Sequence, residues 1–457
     1  MGKVKSKRYE MDMCNGPLLG KMLMFAVPLM CSSLLQLLFN AVDVIVVGRF
    51  AGDTALAAVG SNTSLINLLT NFFMGLSIGA NVLAARFYAS KKEKDLTETV
   101  HTAMLLSIFS GLILTVIGCL GARVILTWMQ TPTEVLDLAV VYLRIYFLGM
   151  TATMIYNFGS AILRAVGDTQ RPLYYLFSAG IINVVLNLFF VIVYKMGVAG
   201  VAIATVISQT ISAILIVRCM MKEEGGIRLE LKKLHIYKDK FIRILKIGLP
   251  ASFQGIVFSV SNVIIQASVN SFGAITVAGN SAAANIEGFV WVAMNAFHQA
   301  AITFTSQNMG AGKYERINKI LYVAQGSVLV VGLVLGNFCV FFGETLLQLY
   351  TSSPEVMQAG MMRLNVVCRT YALCGMMDVM VGSLRGLGYS VMPMIVSMIG
   401  ACGTRLFWIF TFFKMPEFHS VTSLYMTYPV SWILTLMTHI ICFVIVRRKI
   451  EKKRKEI

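Results

Sequence analysis

Twelve times along this 457-residue chain the sequence stays apolar for about twenty residues or more, the length that crosses roughly 30 Å of hydrocarbon. The runs are 22–48, 61–88, 99–122, 135–165, 172–195, 198–221, 241–270, 277–308, 315–343, 355–387, 390–413 and 422–446. In lipid a spanning segment must satisfy its own backbone polar groups, so each run is predicted to be a helix. The composition agrees: 57% hydrophobic and 13% charged residues exclude a soluble globular domain. The expected fold class is an all-α integral membrane protein with twelve transmembrane helices.

The net charge of +17 invites a nucleic-acid reading, but the placement of the charges argues for topology. With both termini inside, most Lys and Arg fall in inner segments. These are Lys3, Lys5, Lys7, Arg8 and Lys21 at the start, Arg86, Lys91, Lys92 and Lys94 after the second run, Arg164 and Arg171 after the fourth, the stretch between the sixth and seventh runs, Lys313, Arg316 and Lys319 after the eighth, Arg385 after the tenth, and the tail from Arg447. The positive-inside rule then sets both termini in the cytoplasm of a plasma membrane, with membrane lipids as neighbours and no nucleic acid. Residues 1–21 are polar and basic without a small-residue cleavage site, so the first helix reads as a signal-anchor. The nine cysteines stand singly and read as packing residues.

Laid on itself at an offset of 221 to 222, the chain repeats. Leu163-Arg164-Ala-Val-Gly167-Asp-Thr-Gln-Arg-Pro172 falls on Leu384-Arg385-Gly-Leu-Gly388-Tyr-Ser-Val-Met-Pro393, Pro28 falls on Pro250, and Phe50 on Phe272. Six helices per half, an even number, make the repeat parallel. The expected organisation is an amino-terminal lobe over 1–221, a basic cytoplasmic linker over 222–246 and a carboxy-terminal lobe over 247–457 with a basic tail. Pro28 and Pro250 interrupt the first helix of each half and are candidate hinges.

Enzymatic motifs are absent. Gly310-Ala-Gly-Lys313-Tyr314 lacks the first glycine and the Ser/Thr of a phosphate loop and follows a helix, and the five histidines have no metal-site spacing. A membrane enzyme using Glu287, Asp378 and His298 has no nucleophile to support it. The informative residues are polar groups at membrane depth, which are costly and face a cavity or a partner. Asp43 stands in QLLFNAVDVIVVG, and Asn157, Asn183, Asn187 and Thr205 lie on the fourth to sixth helices of the same half. A carboxylate with amide and hydroxyl oxygens suits a proton relay or Na⁺, with no other metal called for. The repeat partner of Asp43 is Ile265, so the acid is not part of a shared scaffold. In the second half Glu287, followed by Trp291, Met294 and Phe297, suits a lipophilic cation by charge and cation–π contact, and Asp378 replaces Asn157.

FNAVDVIVVGR, the LRAVGDTQRP and LRGLGYSVMP pair, and QNMGAGKYERI together resemble the multidrug and toxic compound extrusion (MATE) family of the multidrug, oligosaccharidyl-lipid and polysaccharide exporter superfamily. The resemblance spans nearly the whole chain. It implies two six-helix lobes in a V around a central cleft and a bacterial antiporter that acts as a monomer and needs no cofactor. Such an antiporter exports amphiphilic, mainly cationic small molecules against H⁺ or Na⁺. It implies ion coupling at Asp43, Asn157, Asn183, Asn187 and Thr205. Some members carry an acid where this chain has Asn187. The second-lobe acids of some relatives fall near Ser259 and Cys374 here, so that site is not carried over, and Glu287 and Asp378 stand as candidates to replace it or to meet the drug. The alternative is a flippase or exporter of a lipid-linked or anionic natural product, with Arg144, Arg363, Arg369 and Arg405 as the cations to watch.

Overall fold

The computed structural model describes residues 9–456, without the side chains of Ser64 and Lys453. Lys3, Lys5, Lys7 and Arg8 lie outside the described residues. The described residues form sixteen α-helices: α1 Leu18–Phe50, α2 Asp53–Ala89, α3 Glu93–Trp128, α4 Thr133–Leu148, α5 Met150–Ala165, α6 Gln170–Leu188, α7 Gly197–Met221, α8 Lys238–Asn270, α9 Ala274–Gly310, α10 Tyr314–Phe341, α11 Gly343–Gln348, α12 Pro354–Arg363, α13 Arg369–Gly386, α14 Val391–Ser397, α15 Thr404–Phe410 and α16 Val421–Lys455. Three π-helical stretches, Phe189–Val193, Leu364–Cys368 and Met398–Gly403, continue α6, join α12 to α13 and join α14 to α15. The molecule is an all-helical, multi-pass membrane protein.

Ten of the described spans are long and apolar enough to cross a membrane, or eleven when a bent pair counts as one. The bent pair corrects the expected unbroken helix over 135–165: α4 and α5 meet at Gly149 with a 45° bend. Its repeat counterpart, the run over 355–387, carries the π-helical stretch instead. Helix α9, at 37 residues as long as any, falls short on apolarity because Asn280, Asn285, Glu287, Asn295, His298, Gln299, Gln307 and Asn308 lie along it.

The repeat is written into the backbone. Gly52, before α2, and Gly273, before α9, take φ of 89° and 90°, and Gly167 and Gly388 take 95° and 96°, left-handed conformations that glycine adopts without steric cost. By packing, the chain forms two units. One holds Val27–Ser252 with the described residues up to Met13, and the other holds Cys14–Ala26 with Phe253–Ile457. The chain changes unit beside both prolines, two residues before Pro28 and two after Pro250.

In the first unit α3 packs on α4 and α5, and α6 on α7. The segment between α7 and α8 is docked on α3. The His101 ring lies 3.2 Å from both the backbone nitrogen and oxygen of Glu230, the Tyr237 amide donates to Thr102 Oγ1 at 3.1 Å, and at the start of α8 Lys240 Nζ donates to Asp95 at 2.6 Å. In the second unit α13 packs against α9, α10 and α16. Gly332 on α10 permits the close approach of α13, since a Cβ there would lie 2.7 Å from the Ala372 Cα.

Gly332→Val is expected to lower the thermal stability of the detergent-solubilised protein, as overpacking costs about 1–3 kcal/mol. Gly326→Ala on the same helix, where a Cβ meets nothing within 4 Å, is expected to be neutral or stabilising by up to about 1 kcal/mol. Equal melting shifts for the two variants would contradict this packing.

Candidate functional site

Asp43 sits past the midpoint of α1 and is 9% exposed. Its carboxylate accepts a hydrogen bond from Asn187 Nδ2, and the Thr205 hydroxyl, which donates to the Val201 carbonyl at 3.0 Å, lies nearby. Asn187 Nδ2 also donates to Asn183 Oδ1 at 3.2 Å, and Asn183 Nδ2 donates to Thr205 Oγ1 at 3.4 Å. Asn183 and Asn187, four residues apart on α6, share one face, and that face meets α1 and α7. The result is one polar chain through three helices.

Among the described residues the group that bonds this carboxylate is a neutral amide. Asn187 Oδ1 is fully buried and has no hydrogen-bond partner among the described residues. Tyr142 and Tyr146 on α4, stacked at 5.8 Å, lie within electrostatic range of Asp43. They were not anticipated from sequence, although their spacing of four on a helix of the same half was visible. Asn157 stands apart, because its Nδ2 donates to the Thr153 carbonyl one turn back in its own helix, at 2.8 Å. The carboxylate, the Asn187 oxygen and the Thr205 hydroxyl are hard oxygen donors of the kind a proton or Na⁺ requires.

The second-unit candidates do not form one site. Glu287 is 4% exposed and held by a two-pronged ion pair: Arg363 Nε donates to Oε1 and Nη2 to Oε2, both at 2.8 Å. Arg363 Nη1 donates to Asn280 Oδ1 at 2.7 Å, which also accepts from the Tyr425 hydroxyl at 3.2 Å. The expected free carboxylate for a lipophilic cation is therefore already matched by a guanidinium. Trp291 is 44% exposed while Met294 and Phe297 are buried. Steps of three residues drift by about 60° around a helix, so these side chains leave a common face. Asp378 belongs to a different group: its backbone carbonyl lies 2.6 Å from His298 Nδ1, and its carboxylate is within electrostatic range of Arg385, which donates to Gln254 at 2.8 Å.

The four cations also separate. Arg363 is paired, Arg144 is exposed and donates to the Cys119 carbonyl at 3.1 Å, and Arg369 is exposed. Arg405 is 2% exposed and no carboxylate pairs with it among the described residues.

Replacing Glu287 with Leu is expected to cost about 3–5 kcal/mol by leaving Arg363 buried and unpaired, and Glu287→Leu with Arg363→Met to recover most of it. Thermal unfolding of the single and double variants measures this, and a double variant no more stable than the single would contradict it.

Comparison with known proteins follows the same division into halves. The MatE family model matches residues 28–189 and again 250–411, two stretches in the register of the internal repeat. The chain is 27% identical to the probable multidrug resistance protein YoeA of Bacillus subtilis, over 84% of this chain and 85% of that one. Its fold is similar to the outward-facing conformation of a multidrug resistance MATE family transporter, with TM-score 0.88, 20% identity and coverage of 99% and 100% of the two chains. It is also similar to a Pyrococcus furiosus transporter of the same superfamily, described by a reverse polarity of its binding pocket, with TM-score 0.86, 20% identity and coverage of 96% and 97%. With the family model matched over both halves, this chain belongs to the MatE family of membrane transporters.

Proposed function

We propose that the protein is a secondary active exporter that exchanges amphiphilic small molecules for H⁺ or Na⁺ across the plasma membrane of a bacterium, with both termini cytoplasmic. The observation that carries the coupling role is the buried Asp43 carboxylate, bonded among the described residues only by the neutral Asn187 amide, whose Oδ1 has no partner there. An ionised carboxylate in that setting is costly until it takes up a positive ion, so its loading state is a two-state chemical signal.

In this reading the outer side loads Asp43, and α1 responds by bending near Pro28, where the i to i−4 ladder is already broken. Pro250 is the corresponding hinge in α8. Export then needs only that ion and substrate prefer opposite states of the transporter. The multidrug names of the relatives support small-molecule export. A preference for cations finds less support, because Glu287 is neutralised by Arg363. A second reading, export of lipid-linked or anionic natural products, draws on the unpaired Arg405.

Asp43→Asn is expected to abolish uphill ethidium efflux from reconstituted liposomes without loss of folded protein. Undiminished efflux would overturn the coupling role. Collapsing the proton and sodium gradients separately is expected to stop transport in one case only, naming the ion, and efflux that survives the loss of both would overturn the exchange.

A further inference from the structure

Arg405 lies on α15, two residues beyond the π-helical stretch Met398–Gly403, in an apolar run. An arginine has five N–H donors and keeps its charge in any protein environment. The Nε donates to Ser431 Oγ at 3.0 Å, and that hydroxyl spends its own proton on the Tyr428 carbonyl at 2.8 Å, so it is held as an acceptor. The guanidinium lies over the Tyr428 ring at 4.5 Å and near the Trp432 ring at 5.9 Å. Among the described residues Nη1 and Nη2 have no hydrogen-bond acceptor.

The neighbouring Arg363 shows how this fold completes a buried guanidinium, with a carboxylate on two nitrogens and an amide oxygen on the third. Arg363 also lies over the Tyr428 ring, at 5.3 Å, so the two cations share one aromatic platform. Glu287 cancels one of them. The cluster is left with one net positive charge and a planar pair of donor nitrogens. That arrangement matches the two oxygens of a carboxylate or phosphate. Tyr371, set edge-on to Trp432 at 5.4 Å, extends the apolar wall beside it.

We propose that Arg405, with the Tyr428 and Trp432 rings, is a binding site for the anionic oxygen group of an amphiphile with an aromatic or otherwise apolar body. The group is a carboxylate or phosphate, from an exported solute or from an anionic lipid. Its use in transport rests on the exporter reading above; the binding itself does not. A merely structural Arg405, bracing α15 on α16, would show no preference for an anionic ligand.

The test uses the full-length protein in phosphatidylcholine nanodiscs and two dyes with the same cationic ring system, rhodamine B, a zwitterion that bears a carboxylate, and rhodamine B ethyl ester, a cation in which that carboxylate is esterified. Fluorescence anisotropy is expected to show tighter binding of the carboxylate dye. Arg405→Gln should weaken that dye by about tenfold or more, equivalent to about 1.4 kcal/mol, and leave the ester within about twofold. Arg405→Lys, which keeps the charge and loses the fork, should fall between and serves if the Gln variant does not fold. Equal binding of both dyes to the unmodified protein, or equal losses in either variant, would overturn the proposal. Added phosphatidylglycerol that competes with the carboxylate dye, with the competition lost in the variant, assigns the site to lipid; absence of competition assigns it to a solute. Should dye discrimination persist while no ion gradient drives efflux, the exporter reading fails and the site stands.

Discussion

A charge placed in hydrocarbon must be neutralised, shared or put to use, and this constraint accounts for the polar interior of the protein. The fold answers it in three ways. Glu287 and Arg363 cancel each other through paired hydrogen bonds. Among the described residues Asp43 is bonded by one neutral amide, that of Asn187. Arg405 has an aromatic bed and one hydroxyl but, among the described residues, no acid. Only the first arrangement is electrically complete, and it is the one that resembles a structural brace. The other two retain an unmet demand of opposite sign, one in each unit. A transporter that handles an ion and an organic molecule has a use for both.

Much of this was legible in the chain itself. The apolar runs, their duplication and the standing of Asp43 as an unshared acid need only hydropathy and an offset. The join of Asn187 and Asn183 to Asp43 was also readable, because residues four apart share a helical face. The partner of Glu287 was not: Arg363 is 76 residues away, and which faces of α9 and α12 meet is decided by packing. Asn157 donates its amide to the Thr153 carbonyl of its own helix and makes no hydrogen bond to Asp43 among the described residues. Helix continuity failed for a different reason. The bend at Gly149 and the π-helical stretches leave hydrophobicity unchanged, so a hydropathy reading passes straight over them.

The two halves also show which properties a duplication preserves. Gly52 and Gly273 agree in φ within a degree, as do Gly167 and Gly388, while the side chains at polar positions diverge. Backbone geometry that only glycine adopts cheaply is kept in both copies. Asp43 against Ile265 and Asn157 against Asp378 show the chemistry drifting apart on that common frame.

The π-helical stretches bear on how a sequence like this can change. Each stretch is an α-helix with one residue too many. Phe189–Val193 begins two residues after Asn187, Leu364–Cys368 follows directly on Arg363, and Met398–Gly403 ends two residues before Arg405. Removing one residue there would restore the α ladder and turn everything beyond it by about 100°, the angle per residue of an α-helix. In such a helix a single-codon deletion re-aims a polar side chain without altering any amino acid type, a route to new specificity that substitution alone does not offer.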